Sequence, residues 1–502
     1  MKNANRIKPP LKARVGLYTI GLDRYWIQFK GLHDRLVGYG KFIEKQVSRW
    51  AEVHNFGMVD NEAKAHEAGE WFNSKNVDIL FCHAGTYSTS ASNLPVVQIC
   101  KRPVVILNLQ PTERMNYLKT TTGEWLAHCN ACCTPELSNA FARAGIRFHV
   151  ISGLLGLDKT PKISVTNEVT HDMPDAISAW KEIEGWSRAA GATRTLQYGR
   201  MGFLGNTYPG MLDMYSDFTM VEGQTGLHMQ ILEMCELARI HKGVTSREKK
   251  QKLAEVKDMF ILSEDSPADP LARKPRPDQL DAACGVAVAL EKLVRERDLD
   301  GLTYYYSGSP GNEYERIQES FILGLSLLTA RGIPCSGEGD TKTCIGMKIC
   351  DTLGVGGSYC EIVSTDYVDQ TIIMGHDGPF HMGISDRKPI LRGMGLYHGK
   401  WGTGVSVEAK VRSGPITNLG VTQTLDGRLK MIVNQGIATD GETLRIGNTM
   451  TPVRFAKNPS QFMDEWFQLG PTHHFAMSVG HNAKTFEKVA KLLDWPYETV
   501  SL

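Results

Sequence analysis

Gly337-Glu338-Gly339-Asp340 sets two carboxylates among glycines at the entrance of a helical run, Thr341 to Leu353. Asp340 has an ordinary explanation there, since a carboxylate at a helix start caps free N–H groups and favours the dipole. Glu338, flanked by two flexible residues, does not. Next, Gly356-Gly357-Ser358-Tyr359-Cys360-Glu361-Ile362-Val363 places a glutamate at the opening of an apolar, strand-like segment. Ile372-Ile373-Met374-Gly375-His376-Asp377-Gly378-Pro379 then sets a histidine just after another apolar strand. Strand ends are where rigid scaffolds carry acidic and imidazole site residues. Far downstream, Gly470-Pro471-Thr472-His473-His474-Phe475 supplies two adjacent histidines in a turn. Singly, such a glutamate reads as a solvated edge residue and such a histidine as structural. Together, two carboxylates and then two histidines suit a mixed oxygen and nitrogen cage for Mn²⁺ or a similar divalent cation.

Other patterns carry less. Gly199-Arg200-Met201-Gly202-Phe203-Leu204-Gly205 lacks dinucleotide-fingerprint spacing and no clear strand leads into it, so it reads as a loop needing close backbone approach. His128-Cys129-Asn130-Ala131-Cys132-Cys133 looks like half a zinc site, but no second Cys/His pair follows at a suitable spacing. Buried small thiols ahead of a helix are the better reading. Tyr304-Tyr305-Tyr306 reads as strand core.

The elements that must position these residues change in texture along the chain. Val15–Ile20, Val77–Cys82, Pro103–Leu109 and Arg147–Gly153 are short apolar runs, with a helical stretch from about Ile27 to Val53 after the first. Strands separated by helices of such length predict right-handed βαβ units and a parallel sheet. A second α/β unit opens with a helix over Asp175–Ala190. It continues with helices over Gly223–His241, Arg247–Met259 and Asp278–Glu296, an exposed loop before the last of these, and a strand over Gly301–Tyr306. After about Gly356 helical periodicity fades. Val405–Val411 alternates apolar and polar residues, and Asp426-Gly427 between Val421–Leu425 and Arg428–Val433 is a strong hairpin signal. A closing helix spans Lys484–Leu493. The expected fold class is therefore α/β: two Rossmann-like α/β domains, 1–170 and 171–357, followed by a β-rich, antiparallel, barrel-like domain, 358–502.

Composition agrees with a soluble globular protein. The chain has 502 residues, 42% hydrophobic and 22% charged, with a formal net charge of +1. That balance gives no electrostatic reason to expect nucleic acid or an anionic membrane as partner, and points to a small, weakly charged ligand. Met1 to Arg14 lacks the apolar run of a signal peptide, and no stretch approaches the roughly 20 apolar residues of a membrane span. Eleven cysteines, an odd number, read as free thiols in a reducing compartment, which makes the cytoplasm the expected location.

With Gly337-Glu338-Gly339-Asp340-Thr341-Lys342-Thr343, Glu361, His376 and the His473-His474 pair in view, the chain resembles the L-arabinose isomerase and L-fucose isomerase group. The resemblance in domain plan covers nearly the whole chain, while the specific motifs concentrate after residue 337. It implies that Glu338, Glu361, His376 and His474 hold Mn²⁺, or Co²⁺ or Mg²⁺ in its place. It also implies substrate contacts from Met211, from His473, and from His128, which such enzymes lend to a neighbouring subunit. The implied assembly is a homo-oligomer, a hexamer or another trimer-based form, with sites at subunit interfaces. One departure falls on the sugar pocket: where L-arabinose isomerases carry Gly-Ser-Gln-His-Leu-Tyr-Gly after the first strand, this chain reads Gly21-Leu22-Asp23-Arg24-Tyr25-Trp26. Asp23, Arg24 and Trp26 are then a different pocket wall, or a capped helix start.

The chemistry implied is aldose–ketose isomerisation through a cis-enediol. One carboxylate takes a carbon proton and another supplies a proton to oxygen, with the metal polarising two adjacent sugar oxygens. Glu338 and Glu361 share the acid and base roles without a choice between them, and His473 or Asp377 orients the ligands. The alternatives are a sugar epimerase, an isomerase of a rarer sugar, or a non-catalytic sugar-binding or regulatory protein on the same scaffold.

Overall fold

The computed structural model describes residues 6–309, 311–394 and 402–501; residues 1–5 of the basic N-terminal stretch lie outside them. The chain divides into two compact units, Leu11–Arg194 and Thr195–Leu502, the second together with the chain up to Pro10.

The Leu11–Arg194 unit is a five-stranded parallel sheet in the order β2-β1-β3-β4-β5. Its strands are β1 (Arg14–Ile20), β2 (Glu52–Val59), β3 (Ile79–Ala84), β4 (Val104–Gln110) and β5 (Phe148–Leu154). Helices Leu32–Val47, Glu62–Ser74, Leu94–Cys100 and Asn130–Arg143 link them in turn. β3 is buried at every residue, as a parallel strand covered on both faces must be. Leu80, Phe81 and Ile106 are fully buried, each worth about 1.5–3 kcal/mol relative to exposure. Four strands fall on the apolar runs of the sequence. β2 does not: the expected helix from Ile27 to Val53 ends at Val47, and a half-exposed edge strand follows.

The Thr195–Leu502 unit begins with a four-stranded parallel sheet, β11-β10-β6-β7. Here β6 is Arg200–Gly205, β7 His228–Leu232, β10 Gly301–Tyr305 and β11 Cys335–Ser336; β8 (Ile261–Leu262) and β9 (Ala272–Arg273) lie between them in sequence. Two expectations are corrected. Arg200–Gly205 is strand rather than loop, paired on both sides, and Gly202 stands where a Cβ would meet Leu299, Leu232 and Leu302 at 2.8–2.9 Å. The helix expected over Gly223–His241 is broken at Gly226, whose left-handed backbone (φ +73) caps one helix at Thr225 before β7 begins.

Six antiparallel strands close into a barrel, in the cyclic order β16-β19-β12-β13-β18-β17. These are β12 (Gly356–Asp366), β13 (Thr371–His376), β16 (Gly414–Gln423), β17 (Leu429–Ala438), β18 (Thr449–Arg454) and β19 (Phe475–Val479). β20 (Tyr497–Val500) adds to β17 in parallel. The hairpin at Asp426-Gly427 joins β16 to β17 as its turn residues require. A small sheet of β14 (Ile390–Met394) and β15 (Val405–Glu408) takes in β8 and β9, so the segment expected as exposed loop carries two short strands. Met374, Ile416, Ile432, Phe462, Trp466 and Phe475 share one buried core, with Phe455 and Phe462 stacked at 3.8 Å. The mixed α/β class, ending in a barrel-like antiparallel region, is thus what the chain adopts.

Candidate metal centre

Barrel register assembles the site. Cys360 of β12 pairs with Phe475 of β19, and Glu361 of β12 pairs with Gly375 of β13. The histidine before Phe475, the glutamate on β12 and the last residue of β13 therefore meet at one end of three neighbouring strands. That is why positions so distant in sequence, 361, 376 and 474, act together.

Local backbone fixes each side chain. Gly375 faces the backbone of β18 so closely that a Cβ would lie 1.7 Å from the Thr449 carbonyl oxygen. His376 is then locked to the same residue: its N–H donates to Thr449 Oγ1, and that hydroxyl donates to the His376 carbonyl, both at 2.9 Å. Gly378 leaves room for the imidazole, since a Cβ there would stand 2.8 Å from His376 Nδ1. Glu338 sits between β11 and the helix Thr341–Thr352 with φ +61, a left-handed conformation uncommon for a residue with a side chain. The strain is held by its surroundings: Tyr208 N–H donates to the Glu338 carbonyl at 2.9 Å, and Gly339 N–H donates to the Tyr304 carbonyl at 2.9 Å. Gly339 itself, at φ +76, approaches the Asn206 carbonyl too closely for any Cβ.

The functional atoms converge. Glu338 Oε1 lies 3.9 Å from His376 Nε2, and Glu338 Oε2 lies 3.6 Å from His474 Nε2. Among the described residues, neither Glu338 Oε2 nor His474 Nε2, both buried, has a hydrogen-bond partner. Such groups rarely go unpaired, and a cation is what two facing lone pairs accept. Bonds of about 2.0–2.2 Å around one ion set neighbouring ligand atoms roughly 3–3.5 Å apart, so small adjustments close the group. Glu338, His376 and His474 therefore fit a divalent cation.

Glu361 is held differently. Its Oε2 accepts from His473 Nε2 at 2.6 Å, and the compact ligand group it belongs to is Glu361–His473–His474 rather than Glu338–His376–His474. Two overlapping groups share His474. Burial pushes the Glu361 carboxyl up, but the His473 hydrogen bond and the neighbouring imidazoles outweigh it and hold the group below the usual glutamate range. The same contact raises His473. Among the expected orienters, Asp377 stands 3.1 Å from His376 Nδ1, near enough to raise the imidazole against its burial.

Asp340 and Tyr359 complete the support. Asp340 caps its helix as expected, accepting from Thr343 N–H at 3.0 Å and from the Thr343 hydroxyl at 2.8 Å. Its Oδ2 also lies 3.0 Å from His474 Nδ1, and the Tyr359 hydroxyl is 2.8 Å from the same nitrogen. With Nδ1–H donating to the carboxylate, Nε2 keeps its lone pair toward Glu338, the arrangement that prepares a histidine for a metal. Tyr359 was legible in principle, because residues 359 and 361 share one face of a strand.

The other expected site residues are placed as follows. Met211 belongs to the loop 206–217, tied to the site through Tyr208 and through Asp213, whose Oδ2 accepts from His473 N–H at 2.7 Å. His128 lies in the other unit, its side chain fully buried with Nε2 3.4 Å from both Glu124 Oε1 and Arg35 Nη2. Asp23 makes no side-chain cap, and Trp26 Nε1 donates to Asp60 at 2.7 Å.

No family model matches the chain, and no curated protein matches it. Among solved structures, an ABC transporter periplasmic solute binding protein from Actinobacillus succinogenes 130z with bound D-allose aligns at 10% identity over 65% of this chain and 78% of that one. The TM-score of 0.16 is too low to carry any argument about fold or ligand.

Proposed function

We propose that this chain is a metal-dependent aldose–ketose isomerase, with Glu338, His376 and His474 as the core of the metal site and Glu361 joining them. The observation that carries the reading is the pair of buried atoms Glu338 Oε2 and His474 Nε2, 3.6 Å apart and without hydrogen-bond partners among the described residues, with His376 beside them. A bound Mn²⁺, Co²⁺ or Mg²⁺ would polarise adjacent hydroxyl and carbonyl oxygens of an open-chain sugar.

The chain's own groups supply the proton movements. Glu338 and Glu361 are two partly exposed carboxylates, the first beside His474 and the second beside His473. One withdraws the proton from the carbon next to the carbonyl, and the other delivers a proton to oxygen, giving the enediol and then the isomeric carbonyl. The left-handed backbone at Glu338 and the His473 contact at Glu361 fix where each carboxylate stands before substrate arrives. The reading carries with it a cytoplasmic homo-oligomer built on two Rossmann-like layers and a barrel, acting on a small sugar.

The test is metal analysis of the purified protein, followed by ketose detection with a panel of pentoses, hexoses and deoxy-sugars in added Mn²⁺. Ketose formation supports the reading, and interconversion of aldoses alone makes the protein an epimerase. Metal binding without turnover of any sugar leaves a binding protein and overturns the catalytic reading.

A further inference from the structure

The Cys129-Asn130-Ala131-Cys132-Cys133 run occupies the first turn of the helix Asn130–Arg143, away from any residue of the metal centre in sequence. Cys129 is the helix-capping residue and Cys132 stands one turn on, with Cys132 N–H donating to the Cys129 carbonyl at 3.4 Å. That bond closes a turn, which holds the two Cα atoms within about 7 Å, the outer limit for a disulfide. Residues three apart on a helix have Cβ atoms about 5–6 Å apart, and a disulfide needs about 3.5–4.5 Å, a gap that tightening of a terminal turn closes. Exposure is graded across the pair: Cys132 is exposed and Cys129 buried. Burial also pushes the Cys129 thiol up to about 12, so the outer sulfur is the one that meets a reagent first. The third cysteine is otherwise engaged. Cys133 is buried, its thiol donating to the carbonyls of Thr86 at 3.3 Å and Asn130 at 3.4 Å. None of the eleven cysteines is in a disulfide in this structure.

We propose that Cys129 and Cys132 form a reversible dithiol–disulfide pair oxidised by a small disulfide such as glutathione disulfide, with Cys132 attacking and Cys129 resolving. Cys132 loses its proton to solvent and its sulfur attacks one sulfur of the oxidant. The oxidant's S–S bond breaks, and the first thiol leaves after taking up a proton. Cys129 then loses its proton, attacks Cys132 Sγ in the mixed disulfide, and expels the second thiol. The protein dithiol is oxidised by two electrons and one small disulfide is reduced to two thiols.

The test uses the full chain exposed to glutathione disulfide, quenched, alkylated and digested with trypsin. All three cysteines fall in the one peptide from Thr120 to Arg143. The expected product is that peptide lighter by two hydrogens and carrying a single alkyl group, on Cys133, with the link assigned by fragmentation to Cys129 and Cys132 and both thiols restored by dithiothreitol. Cys129→Ser should instead accumulate glutathione on Cys132, with an adduct at least roughly tenfold longer-lived than in the wild type. Cys133→Ser should still form the link. The proposal is overturned if Cys129 and Cys132 both remain alkylatable, if the wild type stops at a persistent glutathione adduct, or if the link joins Cys132 to Cys133.

Discussion

His474 Nδ1 and Asp340 Oδ2 stand 3.0 Å apart, both side chains fully buried, so the carboxylate that caps the helix Thr341–Thr352 also aims the imidazole at Glu338. One residue thereby couples the start of a helix to the geometry of the candidate metal site.

Asp340→Asn keeps an acceptor for the Thr343 N–H but weakens the hold on His474. It should lower Mn²⁺ affinity by about 10–100-fold, the usual cost of losing such support. Calorimetric titration measures the affinity, and a denaturation curve close to wild type separates this loss from unfolding.

Gly375→Ala should destabilise the barrel on the order of 3 kcal/mol, because its Cβ would collide with the Thr449 carbonyl at 1.7 Å and part β13 from β18. Urea midpoints report the stability. Metal affinity should fall with it, since His376 is bonded to Thr449 at both its N–H and its carbonyl.

In the Leu11–Arg194 unit, Arg35 bridges Glu124 and Glu168 in a buried cluster, donating to Glu124 Oε2 at 2.5 Å and also to Glu168. Arg35→Met leaves two carboxylates buried without their cation and should cost about 3–5 kcal/mol, read as a shift in the urea midpoint.

The same cluster sets an acid limit. Burial raises the Glu124 carboxyl, but hydrogen bonds from Arg35 and Ser164 overcome it and bring the group down to about 2 from an ordinary 4.5. A folded-state value below the unfolded one means the contribution is present in full above pH about 4.5 and is lost as pH falls toward about 2. Stability measured by urea across that window should decline in the wild type. The decline should be smaller in Glu124→Gln, which begins less stable at neutral pH.

Much of this was legible from residue types. The apolar runs at β1, β3, β4 and β5 announce themselves because parallel strands buried on both faces must be apolar throughout. β2 and β7 did not, because both lie at sheet edges and carry half-exposed residues. β6 was hidden by glycines that lower strand propensity yet are required by close packing over Gly202. At the site, Glu338, His376 and His474 were visible through their glycine and strand-end settings. The pairing of Asp340 with His474 and the diversion of Glu361 to His473 were not, since both depend on barrel register, which local pattern does not encode.

The most direct measurement compares wild type and Glu338→Gln for metal content and for Mn²⁺-dependent ketose formation from the same aldose panel. The account predicts that the wild type retains metal and converts at least one aldose, while Glu338→Gln loses the metal and slows by at least about 100-fold. A Glu338→Gln protein with full isomerase activity would contradict it.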